Sequence, residues 1–214
     1  MNEPASSRLS RDTVLRAALA LLDEVGIDAL STRRLAERLG VQSPTLYWHF
    51  KSKAALLGAM AEAILAEQHP PVLPRPGQPW QDWFIANALG FRKGLLAYRD
   101  GARLHAGTRP TGAQFDEIEA NLVALQQAGF TPEAGMGLML AVSRFVVGWV
   151  LEEQAGPPDA ALGEEAPDAA RYPLSAQGWQ ALGAQAADAL FEQQLRLFVA
   201  GAAATLPRKR ARSA

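Results

Sequence analysis

Residues 31–50 read STRRLAERLGVQSPTLYWHF, and this stretch decides the fold. Leu35, Ala36 and Leu39 recur at the steps of a short amphipathic helix over 32–39. Gly40 follows where a tight left-handed turn needs a residue without Cβ. A second helix then starts at Ser43-Pro44, with Ser43 as its expected cap and Pro44 at the first helical position. Val41 and Leu46 are expected to bury with Leu35, Ala36 and Leu39 against the preceding helix. Two short helices meeting at a glycine make a helix-turn-helix, whose second helix enters the DNA major groove. Ser43, Thr45, Tyr47, Trp48 and His49 remain outward. Arg33 is placed to fork onto a guanine edge, and Arg34 and Lys53 to hold phosphate. These residues alone leave open an ordinary helical hairpin with its aromatics packed into its own core.

The surroundings also read as helix. Before the motif, Val14, Ala17, Ala18, Leu21, Leu22 and Val25 mark a helix over 13–25, started by Ser10 and Asp12 and ended by Gly26. After it, Ala55, Leu56, Ala59, Met60, Ala63 and Ile64 mark another over 52–68. Prolines 70, 71, 74, 76 and 79 with Gly77 exclude helix over 70–79 and suggest a boundary. Further helices are expected at 80–98, 114–128, 132–154 and 184–206, with a long loop over 155–173. Strand alternation is absent, which predicts an all-α protein. The expected organisation is a DNA-binding domain over 1–52, a connecting helix over 53–69, a ligand-binding and dimerisation domain over 70–206, and a basic tail over 207–214.

Composition narrows the function classes. The chain has 214 residues, 49% of them hydrophobic, which supports a real core. The net charge of −1 does not flag a DNA binder, but residues 1–53 carry eight Lys/Arg against six Asp/Glu. Arg208, Lys209, Arg210 and Arg212 form a second basic run, expected to be solvated. With no cysteine there is neither a disulfide framework nor a thiolate metal site. Residues 1–10 lack a signal-peptide core, and 138–151 is interrupted by Ser143, Arg144 and Gly148, too short and polar to span a bilayer. A cytoplasmic protein with no membrane partner is expected. His49, His69 and His105 lie in no HExxH motif, and neither a nucleophile elbow nor a Gly-rich phosphate loop accompanies them, so an enzyme is disfavoured. A purely architectural DNA protein would not need so large a second domain.

That second domain offers chemistry of its own. His69 ends a helix at the boundary, and His105 to Pro110 sets a histidine, a threonine and an arginine in a Gly/Pro turn. Glu152 ends an otherwise apolar helix. Together these suit an oxygen-rich site for a hard divalent ion. The plainer reading is that His105 caps a helix while Arg109 and Glu152 are solvated. Leu138, Ala141, Val142, Phe145 and Trp149, with Leu190, Leu195, Phe198 and Val199, make apolar faces suited to a four-helix homodimer interface.

The string Leu30-Ser-Thr-Arg-Arg-Leu-Ala36, then Gly40-Val41, Pro44-Thr-Leu-Tyr-Trp-His49 and Lys51-Ser-Lys53, resembles the tetracycline-repressor family. The resemblance continues at Trp80-Gln-Asp82, Asn87-Ala88, Phe91-Arg92, Tyr98 to Ala102, His105 to Pro110, Gly129-Phe130, Ala141 to Ser143 and Val150 to Gln154. It implies a homodimeric repressor on a palindromic double-stranded operator, released by a tetracycline with Mg²⁺ and controlling a tetracycline-resistance efflux gene. By the same resemblance Thr32, Arg33, Ser43, Pro44, Thr45, Tyr47, Trp48, His49 and Lys53 form the DNA-facing set. His69, Asn87 and Phe91 would meet the polar ring edge of the drug, and His105 would bind Mg²⁺ directly, with Thr108 and Glu152 reaching it through water. Arg109 and Pro110 would line the mouth, and Phe91, Ile118 and Leu122 an apolar slot. Asn121 would contact the drug where the family has glutamine, and Arg144 stands where relatives have histidine. Ser43 stands where the family carries an adenine-reading glutamine, which implies an altered operator. A repressor of the same fold answering a different small molecule is the alternative.

Overall fold

A computed structural model describes residues 9–69, 72–155 and 167–207. Among the described residues there are ten helices and no strand, as expected of an all-α chain. Pro70, Pro71, most of the expected loop over 155–173 and the basic run 208–212 lie outside them. The chain divides into two compact units. Residues 91–111 group with the N-terminal unit, whereas 71–90 and 112–214 form the second.

The first unit holds α1 (Arg11–Ala29), α2 (Thr32–Leu39), α3 (Ser43–Leu46), α4 (Lys53–Gln68), the end of α5 (Trp80–Leu96) and α6 (Gly101–Ala106). Its core is apolar and closed: Val14, Ala18 and Leu22 of α1, Leu35 of α2, Leu46 of α3, Met60 and Ile64 of α4 and Leu104 of α6 are all buried. Burying each large aliphatic side chain contributes about 1.5–3 kcal/mol against exposure. Ser10 caps α1, its hydroxyl accepting from Thr13 N–H at 3.0 Å. The helix continues past the expected stop to Ala29, but Gly26 at φ 74° breaks it internally. Ser31 and Ser52 cap α2 and α4 by accepting from Arg34 N–H and Ala55 N–H. Ser43 is not a cap: it is the first residue of α3, and Gln42 holds the capping position without a side-chain bond.

The second unit holds the start of α5, then α7 (Gly112–Ala128), α8 (Pro132–Ala155), α9 (Pro173–Gly183) and α10 (Ala187–Thr205). Trp83 donates its indole N–H to the Val72 carbonyl, which fastens the segment before α5. Helix α8 packs on α7 and α10. Phe145 stacks on Phe191 at 5.3 Å and tilts against Phe198 at 5.0 Å, while Trp149 meets Phe191 edge-on at 5.5 Å. The 132–155 helix corrects the expectation that this region is too short and polar to span: its 24 residues are long and apolar enough to cross a membrane by length and composition. One face of it is nonetheless core, with Gly135, Leu138, Val142, Val146 and Val150 buried at helical spacing. Helix α9 has no counterpart in the sequence reading, because it buries no residue and its apolar Leu174, Trp179 and Leu182 point to no core. Helix α10 begins three residues later than expected.

Gly101 opens α6 under a tight constraint. A Cβ there would lie 2.1 Å from the Leu95 carbonyl oxygen, so the backbone itself must move to admit one. Gly101→Ala is expected to destabilise the protein by about 1–3 kcal/mol through overpacking. Gly58→Ala, in the interior of α4 with open space around it, is expected to stabilise by about 0.5–1 kcal/mol. Urea unfolding of both variants at one protein concentration checks the opposite signs.

Candidate operator-reading surface and effector residues

The reading head is built by the α2–α3 turn. Gly40 adopts φ 66° and ψ 29°, and its N–H and that of Val41 close the turn onto carbonyls at the end of α2. Leu35, Ala36 and Leu46 bury inward, with Leu39 and Val41 partly covered. Tyr47 is 51% and Trp48 88% exposed, which rules out the self-packed hairpin. Arg33, Pro44 and Lys53 are exposed, and Thr32, Ser43, Thr45 and His49 half-buried. An exposed tryptophan beside a tyrosine at a helix end is costly in water and suits a surface that docks against another molecule. Arg33 donates from Nε to Glu37 at 2.9 Å. Arg34 instead reaches back to the Ala29 carbonyl at 3.3 Å, and Arg38 holds Glu24 at 2.6 Å.

Of the residues expected to meet an effector, the first unit contains His69, Phe91, His105, Thr108, Arg109 and Pro110. Phe91 stands between two imidazoles, its ring 6.3 Å from His69 and 5.1 Å from His105. His105 occupies the last turn of α6, which corrects its placement in the Gly/Pro turn; only residues from Gly107 onward form that turn. The Thr108 hydroxyl and N–H both donate to the His105 carbonyl, at 2.8 and 3.0 Å, and set the exit from the helix. The His105 Nδ1 is buried without a hydrogen-bond partner. Burial holds both His105 and His69 below the ordinary histidine pKa, so their imidazoles are neutral at pH 7. Thr108 and Arg109 line a groove of about 430 Å³ with Arg103 and Thr111, closed on the α4 side by Glu62, whose carboxylate accepts from the Thr111 hydroxyl.

The second unit contains Asn87, Ile118, Asn121 and Glu152. Asn87 donates its amide to the carbonyls of Val72 and Trp83, at 3.2 and 3.1 Å. Ile118 and Asn121 are half-buried on α7. Glu152 is exposed and lines a groove of about 720 Å³ with Arg144, Phe145 and Leu190 on the α8–α10 side. The apolar faces expected to dimerise are partly consumed within the chain, since Leu138, Val142, Leu195 and Val199 are buried. Leu197 and Phe198 remain 63% and 42% exposed and line a second apolar groove of about 590 Å³, and Leu140 on α8 is 47% exposed.

A cluster that the sequence reading missed ties the end of α1 to the start of α6. Asp100, at φ 57°, accepts from Ile27 N–H at 2.9 Å. Arg103 forks onto both carboxylate oxygens of Asp28, at 2.9 and 2.7 Å, and also reaches Asp100 at 3.2 Å. Arg99 N–H donates to Asp23 at 2.8 Å. The bonds to Arg103 hold the Asp28 carboxyl below its usual range. The partners lie more than 70 residues apart, so no local spacing announces them. The only signal was Asp100-Gly101 between two helical patterns.

The neutral histidines give a signed pH effect. The unfolded chain binds their protons at about pH 6.5, while the folded protein resists until lower pH, so stability falls as pH drops below that value. Urea midpoints between pH 7.5 and 5.5 are expected to fall less for His105→Gln than for the wild type at equal protein concentration. Parallel slopes would show that His105 is not held neutral.

Comparison with known proteins agrees with this geometry. Residues 14–60 match the description "Bacterial regulatory proteins, tetR family", and residues 73–206 match "Tetracyclin repressor-like, C-terminal domain". The chain is 50% identical over 198 residues to the tetracycline repressor protein class A from transposon 1721 of Escherichia coli, covering 92% of each. A solved class A TetR in complex with 5a,6-anhydrotetracycline and magnesium is 44% identical with a TM-score of 0.71, over 92% of this chain and 99% of that one. Streptomyces coelicolor ActR in complex with (S)-DNPA is 26% identical with a TM-score of 0.77, over 92% and 98%. Both halves of the chain therefore match, over nearly their whole length, and the chain belongs to the tetR family of bacterial regulatory proteins.

Proposed function

We propose that this protein is a cytoplasmic, ligand-released transcriptional repressor of tetracycline resistance that binds a palindromic operator as a homodimer. It is a regulator rather than an enzyme. The observation that carries the reading is the 50% identity to a tetracycline repressor across 92% of both chains, which takes in the reading head and the effector residues together. A single helix-turn-helix offers too few base contacts for tight specificity, so two heads reading one palindrome are required. The exposed Leu140, Leu197 and Phe198 on α8 and α10 supply the apolar face for pairing. In the head, Thr32, Arg33, Ser43, Pro44, Thr45, Tyr47, Trp48, His49 and Lys53 face the duplex, with the arginine and lysine supplying charge to phosphate and base edge. The serine at 43 has no bidentate amide, so the preferred operator departs from one read by glutamine at that position.

His69, Asn87, Phe91, Arg109, Pro110, Ile118 and Asn121 form the drug-contacting set. The residues present suit a metal that arrives already chelated. Among the described residues no three of His, Cys, Asp and Glu gather, but Mg²⁺ keeps waters readily and then needs only one or two protein ligands. The neutral His105 imidazole, with its unpartnered buried Nδ1, offers one. When bound with the drug, the ion supplies the positive charge that joins the ring oxygens to the protein. Thr108 and Glu152 would reach it through water, and in this chain the Thr108 hydroxyl donates to the His105 carbonyl at the end of α6. The drug releases DNA only if it binds the DNA-incompetent state better, and DNA then weakens the drug by the same factor.

A second reading keeps the repressor and changes the effector. It draws on Asn121 and Arg144, which depart from the family residues at the drug, and on the backbone likeness to ActR. Gel shifts on duplexes selected by the full-length protein separate the two. The band is expected to be lost with tetracycline and Mg²⁺ together and restored by a chelator. Retention of the band with both present would favour the other effector, and release in chelator would remove the metal from the account.

A further inference from the structure

We propose that Glu37 is a positioning residue for operator specificity, holding the Arg33 guanidinium side-on so that its two terminal nitrogens meet a base edge. This rests on the reading of the head as an operator binder. Arg33 and Glu37 stand one turn apart on α2, with side chains 86% and 61% exposed. Only the Nε–H is donated to the carboxylate, at 2.9 Å. A guanidinium has five N–H donors, so this contact leaves the terminal pair free. That pair is the one that fits the O6 and N7 of guanine. One arginine thus holds the carboxylate and a base at the same time, and the carboxylate fixes the plane in which the fork arrives.

The other described arginines of the head are turned elsewhere. Arg34 bonds the Ala29 carbonyl, Arg38 bonds Glu24, Arg16 pairs with Asp12, and Arg11 lies 5.0 Å over the Phe50 ring. Arg33 alone among these five contacts another exposed side chain of its own short helix near the reading surface. Helix stability does not account for the pair. Arg33 sits in the first turn of α2 and Glu37 in the last, and the helix dipole disfavours both placements. Arginine before glutamate is also the weaker order at this spacing, and an exposed pair contributes little by itself. A carboxylate this close to DNA is further repelled by phosphate and lowers sequence-independent binding. Weaker binding everywhere with a better-aimed fork at one base is a gain in discrimination.

The test uses the full-length protein and palindromic duplexes selected from a randomised pool, then a panel with each base pair changed in turn. Competition titrations compare wild type, Glu37→Gln, Arg33→Ala and the double variant, with thermal melting to confirm that each is folded. Glu37→Gln is expected to lose about fivefold to tenfold of discrimination at one base pair per half-site, a part of what a bidentate contact supplies. Its affinity for unrelated duplex is expected to hold or rise. Arg33→Ala should lose discrimination at the same base pair, and Glu37→Gln should then add nothing there. An unchanged profile in Glu37→Gln, a loss spread evenly over all positions, or a loss at a different base pair from Arg33→Ala overturns the proposal. A wild type that selects no duplex sinks the operator-binding reading itself.

Discussion

The first unit depends on the junction where Asp100 meets the end of α1. An aspartate at φ 57° occupies a backbone region that costs roughly 1 kcal/mol for a residue with a Cβ. It is held there because its carboxylate accepts the Ile27 N–H and stands beside Arg103, which in turn forks onto Asp28. Gly26 makes the approach feasible: a Cβ on it would lie 3.0 Å from that carboxylate. The consequence is mechanical. The helix that carries His105 in its last turn begins against the last residues of the reading head's first helix, so the two cannot be displaced independently without breaking charge-assisted bonds.

This places chemistry at both ends of a six-residue helix. At its start Asp100 and Asp28 meet Arg103; in its last turn is a half-buried neutral imidazole whose buried Nδ1 has no partner. A ligand that engages His105 and the turn after it meets a segment already pinned at Thr108 and, through Thr111, to Glu62 on α4. Two-state switching needs discrete arrangements with different ligand affinities rather than a continuously flexible region. Helix α6 is clamped at its start to α1, and the turn after it is held by Thr108 and Thr111, so a change at either end is passed along one short segment.

Much of this was legible in the sequence, and the reasons differ by element. The 31–50 stretch carries its own stop and periodicity, and α2 came out at its expected bounds because Gly40 takes, without a Cβ penalty, the left-handed conformation that ends it. The cap of α3 was misjudged because Ser-Pro fits both the capping and the first helical position, and here the serine lies inside the helix. Helix α9 was invisible because periodicity reports a helix only when one face meets a core, and α9 meets none among the described residues. The effector residues were nameable from a resemblance, but their setting was not. That Asn87 donates to two backbone carbonyls, and that Glu152 shares a groove with Arg144, follow from the fold rather than from spacing. The Asp100–Arg103–Asp28 cluster joins positions more than 70 residues apart, beyond the reach of any window.

In the proposed function, operator and drug are coupled through opposed affinities. Calorimetric titration of tetracycline with Mg²⁺ into the protein, alone and saturated with its selected operator, measures that coupling directly. The drug affinity is predicted to fall on operator-bound protein by the same factor by which saturating drug lowers operator affinity. Equal drug affinity in the two titrations would contradict the account.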